Sequence, residues 1–253
     1  MLKSKLLPMS SPVLTPLELP KSGSKVLVIT AHPDDVDFGA GGTVATLTKL
    51  GVEVTYCITT DGHQGGEDES ISRDEMRKIR RVEQSAAGKI LGVNTIHYLG
   101  KDDGSIVPSL SLREEFVRVI RMVKPDILIT QSPERNWARM PASHPDHMAV
   151  GEVAVQAVYP DARNQFAFPH LLKEGLEPWN VPKIWVMSHH SPTRYLDVTE
   201  NIELKFQALE SHKSQTAHVT DLRERVTGWM TLASKAANLP EGRFAEMFFE
   251  VDA

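Results

Sequence analysis

The sequence contains a single cysteine, Cys57, among 253 residues. One cysteine excludes an internal disulfide and a cysteine-rich zinc site. Any metal ion must therefore be held by histidine and carboxylate groups. A chain without a disulfide framework is also consistent with a reducing compartment, and we expect a cytoplasmic protein.

The chain also lacks an excess of basic charge and a long apolar run. Its 28 Lys and Arg face 33 Asp and Glu, which gives a formal net charge of −5. This balance is a poor basis for binding nucleic acid, which depends on clustered basic residues. No run approaches the roughly 20 apolar residues that a membrane-spanning helix needs. Prolines and serines interrupt the leucines of residues 1–20, which we interpret as a mobile N-terminal arm and not as a signal peptide.

What the sequence does contain is a regular alternation of short apolar runs and amphipathic segments. No linker rich in Gly, Ser or charge divides it, so we predict one domain over 21–253. The alternation favours βαβ units and the α/β class, with a Rossmann-like, mostly parallel sheet flanked by helices. Strands are predicted at 25–31, 52–59, 95–99, 126–130, 183–188 and 195–198, helices at 41–50, 72–91, 112–123, 146–158, 199–213 and 220–236, and a strand or apolar cover at 244–251.

The first group of chemically active residues, His32-Pro33-Asp34-Asp35, directly follows the first predicted strand. In such sheets, ligands bind beyond the carboxyl ends of the strands. One imidazole and two carboxylates are ligands for zinc or a similar ion. One carboxylate could face the metal while the other faces a water. The alternative is that an aspartate caps the next helix and His32 only packs.

The glycines that follow, Gly39-Ala40-Gly41-Gly42, invite comparison with dinucleotide-binding turns. Their spacing lacks the third glycine of G-x-G-x-x-G. A pyrophosphate placed here would also meet the carboxylates of Asp34, Asp35 and Asp37. We therefore do not expect a nucleotide cofactor.

A second group, Ser143-His144-Pro145-Asp146-His147, lies between a predicted loop and a predicted helix. One histidine could ligate a metal while the other remains free for proton transfer, and Asp146 could orient an imidazole from outside the ligand set. Together the two groups offer His, Asp and His as three ligands with open positions, which is the catalytic arrangement of zinc. The alternative is a polar loop with a helix-capping aspartate.

The motifs resemble those of the LmbE-like/PIG-L family of zinc de-N-acetylases. The resemblance rests on AHPDD followed by GAGGT, a long R-x-x-E…AA…LG helix, L-G-x-x-D-G, and HPDH, and it spans about 25–248. SHPDH and the stretch 205–215 are most similar to the archaeal diacetylchitobiose deacetylases. The family has a different pattern at 131–134, and those enzymes carry a C-terminal histidine that the tail 244–253 lacks.

This resemblance implies a metal site and a general base. His32, Asp35 and His147 match the zinc ligands, and the same set also suits ferrous iron. Asp34 matches the carboxylate that accepts a proton from water. The expected function is removal of an N-acetyl group from an N-acetylglucosamine-type sugar, which gives a free amine and acetate.

Further roles follow from the resemblance with less specific motifs. His144 matches the imidazole that stabilises the oxyanion or protonates the leaving amine, and Asp146 matches its orienting partner. Arg80 and Asp103 match substrate-binding positions. His63 follows the second strand at the same edge of the sheet, where it could contact substrate or be a solvated loop residue. The resemblance also implies a homo-oligomer, a trimer or hexamer.

Three other functions use some of the same residues. A related sugar–thiol or antibiotic conjugate could replace the simple sugar as substrate. An iron oxygenase uses two histidines and one carboxylate, but those sites usually occupy all-β scaffolds. A non-catalytic, metal-dependent sugar-binding protein would not need Asp34 and His144 beside the ligands.

Overall fold

The computed structural model describes residues 13–253 and contains one eight-stranded sheet. Its strands are β1 Thr15–Pro16, β2 Lys25–Thr30, β3 Glu53–Thr60, β4 Thr95–Lys101, β5 Ile127–Gln131, β6 Lys183–Met187, β7 Arg194–Asp197 and β8 Ala245–Asp252. The order across the sheet is β1-β7-β8-β6-β5-β2-β3-β4. Pairing is parallel except at β8, which runs antiparallel to both β6 and β7. The predicted α/β class and mostly parallel sheet are confirmed.

Helices cover both faces of the sheet and bury two apolar clusters against it. The helices are α1 Asp35–Lys49, α2 Arg73–Ile90, α3 Leu110–Val123, α4 Pro145–Gln156, α5 Pro169–Lys173, α6 Ile202–Ser211, α7 Lys213–Thr216 and α8 Leu222–Ala236. Short helical turns at Met140–Ser143 and Thr199–Asn201 and an irregular turn at Ala157–Ala162 connect them. The predicted cap of α2 is confirmed, because the Ser72 side chain accepts the backbone N–H of Glu75.

Helix α1 begins six residues earlier than predicted. Its backbone leaves the helical region at Ala40 (φ −145°), so two helical pieces join across a kink. The glycines here permit close packing of the helix. A Cβ at Gly39 would lie 2.8 Å from the Met187 sulfur, and one at Gly42 would lie 2.8 Å from Val198. The glycine-rich stretch therefore serves the contact between this helix and its neighbours.

The predicted arm at residues 1–20 lies partly outside the described residues. Where it is described, Thr15 and Pro16 pair with Arg194 and Tyr195 of β7. Leu17 is buried in the core. Thr15 and Pro16 therefore form an edge strand of the sheet, and Leu17 packs beside it, within the stretch for which we predicted an arm.

The sheet order brings the two sequence motifs together. Strands β2 and β5 are parallel neighbours, with Ile29 aligned to Thr130. The loops that leave their carboxyl ends start side by side, although a hundred residues separate them in the chain. No helix within residues 13–253 is both long and apolar enough to cross a bilayer.

Candidate metal centre and active site

The frame of the site is the edge where β2 and β5 end. The Gln131 side chain accepts the backbone N–H of Ala31 at 2.9 Å and so ties the two strand ends together. Helix α4 then packs directly onto β5, since a Cβ at Gly151 would lie 2.2 Å from the Gln131 carbonyl oxygen. This contact places the first turn of α4, with His144 and His147, over the loop that carries His32.

Three predicted metal ligands converge at this edge. His32 Nδ1 lies 3.2 Å from His147 Nε2 and 3.4 Å from Asp35 Oδ2, and Asp35 Oδ1 lies 3.1 Å from His147 Nε2. Ligand atoms about 2.0–2.1 Å from a tetrahedral ion are separated from each other by about 3.3 Å. The two imidazole nitrogens and the Asp35 carboxylate, which meets them through its two different oxygens, therefore lie at separations that suit zinc ligands.

The other edge of the His32 ring faces two carboxylates. His32 Nε2 lies 2.9 Å from Asp103 and 3.3 Å from Asp146. Asp146 is itself fixed by the backbone N–H groups of Gly104 (2.7 Å) and Ile106 (3.1 Å). These carboxylates could also be considered as ligands, because they lie close to His32. We assign them instead as hydrogen-bond acceptors, since a ligand that binds through Nδ1 carries its proton on Nε2.

This arrangement gives two predicted site residues a contact that the sequence did not indicate. The carboxylate of Asp146 meets His32, while its backbone N–H donates to Nδ1 of His144, its predicted partner. Asp103 lies against the His32 imidazole and receives the backbone N–H of Gln64 at 2.9 Å. Its carboxylate is thus held by protein groups, and since Asp103 also lines the cavity over the site, its contact with substrate stays a prediction.

The electrostatics of the cluster show an excess of negative charge. Burial by itself would lower the pKa of His32, but hydrogen bonds to Asp103, Asp146 and Asp35 raise it well above its ordinary value. Burial would raise the pKa of Asp35, but the charge and hydrogen bond of His147 hold it well below its usual range. The carboxylates around His32 thus favour a positive charge on its ring. A divalent cation would compensate the same carboxylates, so the donor set of His32 Nδ1, His147 Nε2 and Asp35 fits a metal.

Asp34 sits beside the ligands in a backbone conformation that is uncommon for its type, with φ at 86°. Its Oδ2 accepts a hydrogen bond from Arg80 at 3.0 Å, and its backbone N–H donates to the side chain of Gln84 at 2.8 Å. Burial raises the pKa of Asp34, and the charge of Arg80 offsets part of this rise. Arg80, predicted to bind substrate, also donates to the carbonyl oxygens of Pro33 and Gly62.

His144 lies beside His32, and the centroids of the two rings are 4.9 Å apart. Its Nδ1 accepts the backbone N–H of Asp146 at 3.2 Å, so a neutral ring carries its proton on Nε2. Burial and the nearby His32 and His147 lower the pKa of His144 and favour this neutral form. The ring centroids of His144 and His147 are 5.1 Å apart. His144 is therefore a neutral N–H donor next to the predicted ligands.

A cavity of about 420 Å³ opens over these groups. All of its lining residues are polar or glycine, namely His32, Asp34, Asp35, Gln64, Gly65, Arg80, Asp103, Gly104, His144 and His147. His63 is buried and does not line this cavity, whereas its neighbours Gln64 and Gly65 do. The sequence signal for them was weak, because only their position after β3 pointed to this edge.

A second cavity, of about 540 Å³, adjoins the first and shares Asp35 and His147 with it. Trp229 lines this second cavity, and the Arg139 guanidinium lies 5.0 Å from its ring centroid. The larger cavity thus has an aromatic side chain in its wall, in addition to two of the predicted metal ligands.

A second group that could hold a metal consists of Glu134, His189 and His190, and its two histidines line the second cavity. Glu134 lies 3.3 Å from both His189 Nε2 and His190 Nδ1. However, His189 Nδ1 accepts the backbone N–H of Ser191. A neutral ring in this state has its proton on Nε2, where it donates to Glu134 and is not free to bind a metal. We interpret this group as a hydrogen-bonded rim.

Comparison with known proteins connects this geometry to a family. The family model of PIG-L, described as GlcNAc-PI de-N-acetylase, matches residues 27–158, which contain both motifs. The chain belongs to the PIG-L family. The family predicted from the sequence is confirmed, and its matched region contains every predicted site residue.

Individual members of the PIG-L family show how far the likeness extends. A diacetylchitobiose deacetylase of Thermococcus kodakarensis is 34% identical, over 76% of this chain and 70% of the relative. A probable N-acetyl-α-D-glucosaminyl L-malate deacetylase 2 of Bacillus cereus is 30% identical, over 76% and 83%. The solved structure of N,N'-diacetylchitobiose deacetylase from Pyrococcus horikoshii superposes with a TM-score of 0.84 at 31% identity, covering 90% of this chain and 84% of that one.

Proposed function

We propose that the protein is a metal-dependent hydrolase that removes the N-acetyl group from an N-acetylglucosamine-type sugar or conjugate. One observation carries the proposal. His32 Nδ1, His147 Nε2 and the two oxygens of the Asp35 carboxylate lie within 3.1–3.4 Å of their neighbours, and two proton-transfer groups, Asp34 and His144, line the same cavity. A metal-dependent binding protein would need the three ligands but not Asp34 and His144.

His32, Asp35 and His147 would hold zinc or ferrous iron. Such an ion supplies a Lewis acid for the amide carbonyl and lowers the pKa of water, to about 7 for zinc in hydrolytic sites. The carboxylates of Asp103 and Asp146, which meet Nε2 of His32, keep its Nδ1 directed toward His147 and Asp35. This support belongs to the protein alone and exists before any ion binds.

Asp34 is proposed as the general base. Arg80 occupies Oδ2, and no hydrogen bond within residues 13–253 engages Oδ1. Oδ1 is therefore free to accept a proton from the attacking water, while Arg80 fixes the direction of the carboxylate. Proton transfer of this kind requires hydrogen-bond reach, about 2.6–3.2 Å, to the water.

His144 is proposed to stabilise the oxyanion that forms on the acetamide oxygen. Its Nε2–H is a neutral donor whose direction is set by the hydrogen bond at Nδ1. One preorganised donor of this type lowers the activation barrier by about 2.7–4 kcal/mol. The leaving amine can take its proton from Asp34, which gained that proton from the attacking water.

The polar first cavity supports a hydroxylated substrate over an apolar one. Its volume lies in the range of small-molecule sites. The relatives' names point the same way, to diacetylchitobiose and to an N-acetylglucosaminyl malate. We propose that the N-acetylated sugar occupies the first cavity and that the rest of a conjugate extends toward Trp229 in the second. A cytoplasmic location and a homo-oligomer remain predictions from the sequence.

The test is an assay of the zinc-loaded protein with N-acetylglucosamine, diacetylchitobiose and N-acetylglucosaminyl conjugates of malate and inositol. Amine and acetate are both measured, and Asp34→Asn serves as the control. Equal release of amine and acetate by the wild type, absent in the control, is expected for at least one substrate. Zinc binding without release from any of them would contradict the proposal and favour a binding role.

A further inference from the structure

The backbone of Asp34 lies in the left-handed region, which non-glycine residues rarely adopt and which surrounding contacts must therefore hold. Its side chain forms no cap on helix α1, although it occupies the position before that helix. The conformation therefore has no explanation in helix capping. It does turn the Asp34 carboxylate toward Arg80 and the first cavity.

A buried line of hydrogen bonds ends at the Asp34 backbone. Gln84 of α2 accepts the Asp34 N–H with Oε1 at 2.8 Å and donates with Nε2 to Asp37 Oδ2 at 2.9 Å. The same Asp37 oxygen lies 2.7 Å from Nε2 of His212, the residue between α6 and α7. Gln84, Asp37 and His212 are each fully buried. They form a unit that connects three separate helical regions to one peptide N–H.

The amide of Gln84 has only one orientation that satisfies this unit. Its Oε1 must accept from a backbone N–H, and its NH₂ must donate to a carboxylate. The fixed carboxylate of Asp37 thus determines which end of the Gln84 amide faces Asp34. His212 contacts the same Asp37 oxygen and helps to fix it. None of the three side chains lines the cavity over the metal ligands.

We propose that Gln84, Asp37 and His212 are positioning residues that hold Asp34 in its left-handed conformation and so aim its free carboxylate oxygen at the reacting water. The inference rests on the proposed function for its kinetic consequence, because it concerns the general base. Its structural content, the fixing of the Asp34 peptide, is independent of any substrate.

The first test measures amide hydrogen exchange by NMR on the zinc-loaded protein. Gln84→Met keeps the length of the side chain and removes the acceptor. The Asp34 amide is expected to exchange at least tenfold faster, while the Val28 amide in β2 keeps its protection and reports an intact core. Unchanged protection of the Asp34 amide would overturn the proposal, whether or not any substrate is known.

The second test measures kcat, KM and zinc content on a substrate that the wild type hydrolyses. Small misplacement of a catalytic group costs up to about 100-fold in rate. We expect Gln84→Met to lose 10- to 100-fold in kcat, with KM within twofold and one zinc per chain. Gln156→Met, which removes a hydrogen-bonded glutamine at the far end of α4, is the matched control and should keep its kcat.

His212 gives a conservative comparison within the same unit. His212→Gln can still donate a hydrogen bond to Asp37 and should keep most of its kcat. His212→Leu cannot donate, and its kcat should decrease as much as that of Gln84→Met. A kcat within twofold of wild type in Gln84→Met, or equal losses in the two His212 variants, would overturn the proposal. Absence of any wild-type turnover would instead contradict the proposed function, and the exchange experiment would still decide the inference.

Discussion

At the scale of single residues, the site depends on which atom of each side chain points in which direction. His32 turns Nδ1 toward His147 and Asp35 and Nε2 toward Asp103 and Asp146. One imidazole can therefore serve as a metal ligand on one edge and be oriented by carboxylates on the other. The two carboxylates of the first motif are likewise separated by function. Asp35 faces His32 and His147, whereas its neighbour Asp34 faces Arg80.

The first prediction concerns Asp34→Asn. The amide keeps the size of the side chain and can still accept the hydrogen bond of Arg80, but it cannot take a proton from water. We expect one zinc per chain as in the wild type and a loss of roughly 10²–10⁴-fold in kcat, the usual contribution of a general base. Zinc analysis and steady-state kinetics measure both. Retention of full turnover would show that another group is the base.

The ligand set and the base could be proposed from the sequence, because the four residues lie within two short motifs. The contacts of Asp103 and Asp146 with the His32 ring could not. They depend on which ring nitrogen each carboxylate meets, and that is fixed only when the loop around Gly104 packs onto α4. Gln84 was missed for a related reason, since a glutamine on a helix carries no chemical signal until its partners are known.

At the scale of elements, the site depends on how closely α4 approaches β5. The helix carries two histidines in and before its first turn, and its position is fixed where Gly151 meets the Gln131 carbonyl. A residue with a Cβ cannot fit there without moving the helix or the strand. The same close packing explains the glycines of α1, whose spacing in the sequence invited comparison only with nucleotide-binding turns.

The second prediction compares two glycines in helices. Gly151→Ala should lower the free energy of unfolding by about 1–3 kcal/mol, because overpacking forces the backbone to shift. Gly228→Ala, in α8, meets no atom within 4 Å and lacks a positive φ. It should raise stability by about 0.5–1 kcal/mol, since alanine favours a helix over glycine. Urea unfolding of both variants measures the difference, and equal effects would refute the close-packing argument.

The elements themselves followed well from sequence periodicity, and the strand β8 confirms the strand option for the tail. The start of α1 was placed too late because a kink at Ala40 joins a first turn that has no apolar periodicity of its own. The irregular turn at Ala157–Ala162 was also missed. Tertiary contacts maintain both features, and a local pattern cannot report them.

At the scale of the whole molecule, the site joins distant parts of the chain across the sheet. His32 and Asp35 follow β2 in the chain, whereas His147 belongs to α4, more than a hundred residues later. A metal ion bound between them links these segments in the folded state only. Its binding free energy therefore adds to the stability of the fold.

The third prediction concerns removal of that ion. Free zinc at 100 times its dissociation constant should stabilise the folded protein by about 2.7 kcal/mol relative to the chelated protein. Thermal unfolding with zinc and with chelator measures the shift. His147→Ala lacks one ligand and should show a much smaller shift under the same conditions. A zinc-induced shift as large as that of the wild type in this variant would place the ion elsewhere.

The most direct test of a metal-dependent de-N-acetylase is a reconstitution titration. The protein is freed of metal with a chelator, dialysed, and given zinc in small increments while amine release from an N-acetylglucosaminyl substrate is followed. The account predicts no release without metal and a rate that rises in proportion to bound zinc until one ion per chain is reached. Amine release at the full rate by metal-free protein, or no release with one zinc bound per chain, would contradict it.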